Sequence, residues 1–403
     1  MWCGWRQGFR VFGHQMSSPI ATVRAVVDAG SVDESDPNLY GISHFAEHMF
    51  FKGTSEMNYR DINREISRLG QGNAYTSFGK TVYHIECLPE NIEGALSLLT
   101  KLIFDSQFPE EEFEKERNVI LEEHQAGIDN PYSYFYNQSL SVFFGDKAHP
   151  IIGTKDSIGS ISRDDILTFT KDHHLQSRIA FIVVGNIEKE DVKACCDKVL
   201  DQYKNIPDKY YKSNYIDTKN SIVHQFDHTS KQTLMGIYFN TDAPSQWKES
   251  RYVSLLFEKG FGDGGFSYNM LYDRIREQLG LCYSIGTHLY TFRGVNTIMV
   301  VAAMDGKNFE IVRDETMKVL EHISKNGFED DLFELAKKSL IYDLISRGAT
   351  PSYYAVNQLD SLFHVPFIDI SEVRNCIESL SNEDIKKCAK KVLDDGFAIA
   401  RMN

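Results

Sequence analysis

The string His44-x-x-Glu47-His48 carries the clearest chemistry in the sequence. In a helix, residues four apart lie one turn apart on the same face, so both imidazoles can point to one place with Glu47 beside them. Two imidazoles on one face can bind one zinc ion, and a neighbouring carboxylate can take a proton from an attacking water. The alternative is a helix with two ordinary surface or core histidines. The spacing favours a catalytic zinc site.

A third protein ligand must come from elsewhere, because catalytic zinc sites usually combine three protein ligands with a water. The candidates are acidic residues on the helix predicted from Pro109 to about Gln125. Glu116 and Glu123 share one face of that helix, whereas Glu122 points about 100° away. The pair could supply one ligand and one supporting carboxylate. A charged, solvated helix face explains the same spacing equally well.

The elements that would position these residues occur twice along the chain. In the first half, a β-branched segment at 20–29 precedes the motif, and a hairpin is predicted around a turn at 79–80. After residue 221 the order of elements starts again, with about a dozen additional residues that predict an extra hairpin. Hairpins mixed with helix pairs favour mostly antiparallel sheets with helices on one face. We therefore expect an α+β fold with two homologous domains.

The expected domain boundaries follow from length and composition. At 403 residues the chain exceeds what one hydrophobic core usually serves. We expect an N-terminal zinc-binding domain at 1–208 and a C-terminal homologous domain at 222–403. The linker between them, at 209–221, is polar and has no regular hydrophobic spacing.

Charge and cysteine content exclude some classes of function. The formal net charge of −14 argues against nucleic acid as a partner, because phosphate binding needs clustered Lys and Arg. The seven cysteines form no Cys-x-x-Cys pair and read as reduced thiols of a reducing compartment. No apolar run approaches the length of a membrane span, and the first residues lack the pattern of a signal peptide. We expect a cytoplasmic protein without a membrane span.

The segment Gly41–Thr54, together with Glu116-Arg117-x-Val119-Ile120-Leu121-x-Glu123, resembles the pitrilysin and mitochondrial processing peptidase family of inverted zinc peptidases. The resemblance extends through both halves of the chain. It implies the two-domain processing-peptidase fold and a zinc-dependent endopeptidase with one Zn²⁺ per chain. Within that metal site it implies that Glu123 joins His44 and His48 as a ligand, that Glu116 supports the site, and that Glu47 is the general base.

The resemblance also implies how a substrate peptide is held. The string Asn73-Ala74-Tyr75 is similar to the family's edge strand, to which an extended peptide adds as a further strand. The physics agrees, because main-chain pairing binds an extended peptide with little regard for its sequence. In the second half, the segment from Leu271 to Ser284 is similar to the one that holds the family's Arg and Tyr pair. That similarity assigns substrate binding to Arg276 and Tyr283.

Two other functions remain as alternatives at this point. The family contains metal-less subunits, so a non-catalytic or partner-dependent subunit of a larger assembly could share the fold. A closed structural zinc site is the second alternative, and it would need a fourth protein ligand.

Because the metal half and the Arg/Tyr half lie on one chain, we expect a homodimer that encloses a chamber and hydrolyses short or unfolded peptides.

Overall fold

The computed structural model describes residues 1–144, 149–208, 224–228, 231–242, 247–292, 295–364, 367 and 370–403. These residues form two sheets, each flanked by helices, which confirms the α+β class. The chain divides into two compact units. Unit 1 comprises Met1–Gly127, Ala148–Tyr215 and Gly348–Phe363, and unit 2 comprises Ile128–Lys147, Ile216–Arg347 and His364–Asn403.

The strands of the described residues are numbered in chain order. They are β1 Trp2–Arg6, β2 Phe9–Gln15, β3 Ala21–Val27, β4 Gly70–Thr76, β5 Thr81–Cys87, β6 Ile179–Gly185, β7 His224–Phe226, β8 Thr233–Asp242, β9 Cys282–Phe292, β10 Val295–Met304 and β11 Phe397–Met402.

The helices are numbered in the same way. They are α1 Ile42–Met49, α2 Tyr59–Leu69, α3 Ile92–Asp105, α4 Glu110–Asp129, α5 Pro131–Phe144, α6 Lys155–Ser160, α7 Arg163–His173, α8 Lys189–Leu200, α9 Trp247–Phe261, α10 Phe309–Asn326, α11 Asp330–Arg347, α12 Pro351–Asn357, α13 Ile370–Glu378 and α14 Asn382–Asp395.

The sheet of unit 1 has the strand order β1-β2-β6-β3-β5-β4. Only the β2–β6 pair is parallel, and the other neighbours are antiparallel. Every residue of β3 and β6 is buried, as expected for central strands covered on both faces. Strand β4 lies at the end of this order, with its single described strand partner, β5, on one side.

Local sequence signals explain the elements next to the motif. The side chain of Asn58 caps α2 by accepting hydrogen bonds from the N–H groups of Arg60 and Asp61. That helix ends at Leu69, and β4 begins at the next residue, Gly70. Helix α3 packs on β3 and β5, and its apolar face joins the core of unit 1. The motif helix α1 lies against the same core.

The sheet of unit 2 has the strand order β7-β11-β8-β10-β9 and is antiparallel except for the β7–β11 pair. The extra hairpin predicted for this half was wrong, because β9 and β10 form the counterpart of the β4–β5 hairpin. The difference lies in length: β9 and β10 contain 11 and 10 residues where β4 and β5 contain 7 each, and α10 contains 18 residues where α3 contains 14. The segment Tyr272–Gln278 of this half is π-helical.

Each unit includes a helix from the other half of the sequence. Helix α12 belongs to unit 1, where it packs on β3 and β6 and the ring of Tyr354 stacks on His14 at 4.0 Å. Helix α5 belongs to unit 2, where the hydroxyl groups of Ser139 and Tyr238 lie 2.5 Å apart. The predicted linker at 209–221 lies outside the described residues, and the domain boundaries stay a prediction.

Two further sequence expectations concern compartment and membrane. The seven cysteines are present as thiols. Within the described part of the chain, no helix has the length and low polarity that crossing a membrane requires.

Candidate metal centre

Helix α1 brings the two histidines of the motif together. Its first residue follows Gly41, which has a φ of 94°, and its apolar side chains, including Phe45 and Met49, are buried in the core. This packing leaves the imidazoles of His44 and His48 on the opposite side, partly buried and with ring centroids 4.6 Å apart. The amphipathic pattern of the helix therefore sets the spacing of the two rings.

The third group comes from α4. One carboxylate oxygen of Glu123 lies 3.7 Å from Nε2 of His44, and the other lies 3.6 Å from Nε2 of His48. All three ligand atoms lie within 4.8 Å of one another. Two ligands of a tetrahedral zinc ion are about 3.4 Å apart, since each sits roughly 2.0–2.2 Å from the metal. Two imidazoles and one carboxylate also form a donor set of catalytic zinc sites, so these residues fit the ion.

The electrostatics of His44 suit a metal ligand. Burial, with a smaller effect of the neighbouring His48, lowers the pKa of His44 to about 3. The ring is therefore neutral at physiological pH. Only a neutral imidazole has a nitrogen lone pair to offer a metal, so His44 is already in the protonation state that binding requires.

Glu116 contacts the ring nitrogen of His48 that does not face Glu123. Its carboxylate lies 2.8 Å from Nδ1 of His48, and it pairs with the ammonium group of Lys52. Burial acts to raise the pKa of Glu116, but the hydrogen bonds from His48 and Lys52 outweigh it and lower the pKa overall. A charged carboxylate at this place fixes the imidazole so that Nε2 faces Glu123.

Replacing Glu116 by Gln should weaken zinc binding about 10–100-fold, the usual cost of losing a carboxylate that orients a metal-binding histidine. The fold should persist, since an amide has nearly the same shape as the carboxylate. Competition between the protein and a chelating dye would measure the affinity. Glu114→Gln on the same helix, at an exposed position paired with Arg117, is the matched control. Equal zinc affinity of the two variants would contradict the assigned role.

Glu47 lies beside the three ligands but is not one of the group that could hold a metal. Its Oε2 accepts a hydrogen bond of 2.6 Å from the hydroxyl of Thr76, at the end of β4. Burial raises the pKa of Glu47, although the Thr76 hydrogen bond and the charge of His48 oppose that shift. A carboxylate with a raised pKa that is held next to a metal site has the properties of a proton acceptor.

The structure brings together five of the predicted site residues in unit 1: His44, Glu47, His48, Glu116 and Glu123. The predicted substrate strand, Asn73, Ala74 and Tyr75, lies in β4, at the end of the strand order, and the side chains of Asn73 and Tyr75 are exposed.

The remaining two site residues belong to unit 2. Nε of Arg276 donates to the backbone oxygen of Tyr283 at 3.1 Å, and its guanidinium also contacts Tyr272 and Glu277. The side chain of Tyr283 is largely exposed. Arg276 and Tyr283 are therefore neighbours within unit 2.

Two residues of this centre were missed in the sequence. Lys52 lies beyond the end of α1 at Met49, so helical spacing does not place its ammonium group next to Glu116. Thr76 is the last residue of β4, and its contact with Glu47 depends on how the strand packs against α1. No local pattern indicates such a contact.

Comparisons with known proteins agree with these features. The family profile described as Insulinase (Peptidase family M16) matches residues 11–148, and that described as Peptidase M16 inactive domain matches residues 160–340. A protein of Rickettsia felis described as an uncharacterized zinc protease is 28% identical over 87% of this chain and 85% of its own length. A protein of Bacillus subtilis with the same description is 25% identical over 94% of this chain and 93% of its own length.

Solved structures share the fold. A protease from Helicobacter pylori has a TM-score of 0.89 at 19% identity, covering 98% of this chain and 97% of that one. A Pseudomonas fluorescens structure described as a peptidase M16 inactive domain has a TM-score of 0.87 at 19% identity, over 99% of this chain and 97% of that one. With both family profiles matched in order along the sequence, this chain belongs to the M16 peptidase family, the insulinase and pitrilysin family.

Proposed function

We propose that this protein is a zinc-dependent endopeptidase that hydrolyses short or unfolded peptides. The observation that carries the proposal is the arrangement of His44, His48 and Glu123 around one point, with the buried carboxylate of Glu47 beside them and outside the ligand group. A closed structural site would need a fourth protein ligand, and among the described residues the group has three. Three ligands leave room for a water, as hydrolysis requires.

Glu47 would move the proton in the reaction. When bound, zinc supplies a Lewis acid that polarises a water and the scissile carbonyl. Glu47 takes a proton from the attacking water and delivers it to the leaving amine. Its raised pKa lies closer to neutral pH than that of an ordinary glutamate, which favours both transfers. The Thr76 hydroxyl orients the carboxylate for both transfers.

Substrate binding is assigned to β4 and to the Arg/Tyr pair of unit 2. The position of β4 at the end of its sheet supports addition of an extended peptide next to Asn73, Ala74 and Tyr75. Such pairing uses the peptide backbone, which suits substrates of varied sequence. We assign Arg276 and Tyr283 to binding the peptide and the negative charge that develops on its carbonyl oxygen, because a guanidinium and a phenol hydroxyl are strong hydrogen-bond donors.

We also propose a homodimer that encloses a chamber. The support is that the metal residues and the Arg/Tyr pair both lie on this chain, so no different subunit is needed to complete the set. Sedimentation velocity of the purified protein should give the mass of two chains. A monomer at micromolar concentration would contradict the dimer.

A partner-dependent subunit is the second candidate. A protein of Arabidopsis thaliana described as a probable mitochondrial-processing peptidase subunit beta is 32% identical over 48% of this chain and 36% of its own length. Its description as a subunit favours an assembly of different chains. If this candidate is right, the purified protein binds zinc but cleaves peptides only when a second gene product is added.

The decisive experiment combines a metal assay with a peptide assay. The purified chain should contain about one zinc ion and cleave members of a mixed peptide library, and a chelator should abolish cleavage until zinc is restored. Glu47→Gln prepared in the same way controls for contaminating proteases. Stoichiometric zinc without cleavage by the isolated chain would contradict the self-sufficient endopeptidase.

A further inference from the structure

A buried carboxylate holds the start of the metal-binding helix. The side chain of Glu34 is fully buried, and its two oxygens accept hydrogen bonds from the N–H groups of Gly41 at 2.7 Å and Ser43 at 2.9 Å. Gly41 is the N-cap of α1 and Ser43 lies in its first turn, where backbone N–H groups have no acceptor within the helix and need one from elsewhere. Ser43 precedes His44 directly. Glu34 therefore fixes the backbone from which the first imidazole projects.

His149 closes the other side of this carboxylate. Its Nε2 lies 2.9 Å from the backbone oxygen of Ser31 and 3.3 Å from Glu34, and its ring stacks on Tyr40 at 3.6 Å. Tyr40 is the residue just before Gly41. The imidazole thus connects the segment that carries Glu34 to the segment that enters α1.

The backbone at the entry to α1 is held between close neighbours. A Cβ on Gly41 would lie 2.3 Å from the backbone oxygen of Ile152, and a Cβ on Gly153 would lie 2.1 Å from the backbone oxygen of Tyr40. Both glycines have positive φ, 94° and 86°, which other residues rarely adopt. The hydroxyl of Ser157 also donates to the Tyr40 oxygen at 2.6 Å. This part of the chain has little freedom to shift.

The segment that carries Glu34 also contacts the turn of the β4–β5 hairpin. The N–H groups of Ser31 and Val32 donate to the backbone oxygens of Ser77 and Phe78, at 3.3 and 3.0 Å. Thr76, the next residue back along the hairpin, donates to Glu47. Through this turn Glu34 connects the start of α1 to the strand end that orients the carboxylate of Glu47.

We propose that Glu34 is a positioning residue, which sets the orientation of helix α1 relative to the β4–β5 hairpin and so aligns His44 for the metal and Glu47 for its hydrogen bond. The inference rests on the metal-binding part of the proposed function and not on peptide cleavage. Burying a carboxyl group costs more free energy than burying an apolar side chain, because its polar atoms leave water and must find hydrogen-bond partners. Burial raises the pKa of Glu34 to about 8, against the opposing N–H groups of Gly41 and Ser43. An apolar side chain would avoid that cost but could not hold the helix start.

Glu34→Gln tests the role with little change of shape. Only one oxygen of the amide can accept, so one of the two N–H groups would face an NH₂ group. We expect zinc affinity to fall about 10–100-fold, as for other residues that orient metal ligands. The visible absorption spectrum of the cobalt-substituted protein should also change, because it reports the geometry of the ligands. Far-UV circular dichroism would show that the fold is intact.

Asn58→Ala provides the matched control. It removes the N-cap of α2, in the same unit but on a helix without metal ligands, and so lowers the stability of the fold. Its melting temperature should fall while its zinc affinity and cobalt spectrum stay unchanged. If Glu34→Gln behaves in the same way, with a lower melting temperature and a wild-type metal site, Glu34 only stabilises the fold and the proposal is wrong.

Three further outcomes can be told apart. Should Glu34→Gln fail to fold, Ser157→Ala loosens the same helix entry, because it removes the bond to the Tyr40 oxygen together with the Ser157 contacts to Thr154 at the start of α6. We expect a loss of zinc affinity in the same direction but of a few-fold; an unchanged affinity and cobalt spectrum would overturn the proposal. If the wild type binds zinc but cleaves no peptide while Glu34→Gln binds zinc more weakly, the inference stands and the peptidase proposal fails. A wild type that binds no zinc overturns both.

Discussion

Replacing Glu47 by Gln should leave zinc bound and reduce kcat by about 10²–10⁴-fold, the range that a positioned general base contributes. The amide keeps the size of the side chain and can still accept the Thr76 hydrogen bond, but it cannot take a proton from water. Because Glu47 stands outside the ligand group, metal content should not change. Zinc content and the rate of cleavage of one peptide should be measured on the same preparation.

Thr76→Val separates orientation from proton transfer. The valine is close in size to threonine but cannot donate to Glu47, so the carboxylate keeps its chemistry and loses its orientation. We expect a smaller loss of kcat than for Glu47→Gln, again with zinc retained. Cleavage by Glu47→Gln at near the wild-type rate would contradict the mechanism. Loss of zinc from Glu47→Gln would instead show that Glu47 is one of the metal ligands.

The site could be predicted from the sequence where the geometry is local. His44 and His48 are one helical turn apart, and Glu116 and Glu123 lie at helical spacing on another helix, so the 3.6-residue period was sufficient to place each pair on one face. The fold class followed in the same way from hairpins and helix pairs. Only the resemblance distinguished Glu123 as the third ligand, since a solvated helix face explained the same spacing.

Contacts that depend on tertiary packing could not be predicted from the sequence. Glu34 reaches the start of α1 from a separate turn, and Thr76 reaches Glu47 from the end of a strand. Neither contact has a periodic signature. The placement of α5 in unit 2 and of α12 in unit 1 could not be predicted for the same reason. The sequence of a short helix shows which face is apolar but not which sheet will cover it.

The length difference between the two halves was assigned to the wrong feature for a related reason. Additional residues can extend a strand and a helix or can form a new hairpin, and turn residues alone do not distinguish these cases. The structure adds residues to β9, β10 and α10. The π-helical segment at Tyr272–Gln278, from which Arg276 projects, also lacks a sequence signal, since its period differs little from that of an α-helix.

Replacing Glu123 by Gln should cost more zinc affinity than any other change proposed for the site. The variant loses the negative ligand that faces both imidazoles, at 3.7 Å from His44 and 3.6 Å from His48, and a neutral amide oxygen is a poorer ligand for zinc. We expect a loss beyond the roughly 10–100-fold typical of outer partners, so that dialysed protein retains little metal. Zinc per chain after dialysis and affinity by dye competition would measure it.

Glu122→Gln is the matched control for this change. It removes the same charge from the neighbouring position of the same helix, and Glu122 is exposed and outside the group of possible ligands. Its zinc content should equal that of the wild type, because only the loss of a ligand atom, and not the loss of one negative charge, empties the site. If Glu122→Gln released zinc while Glu123→Gln retained it, α4 would present a different face to the two histidines. The ligand assignment would then have to move by one residue, and with it the assignment of Glu116 as the partner of His48.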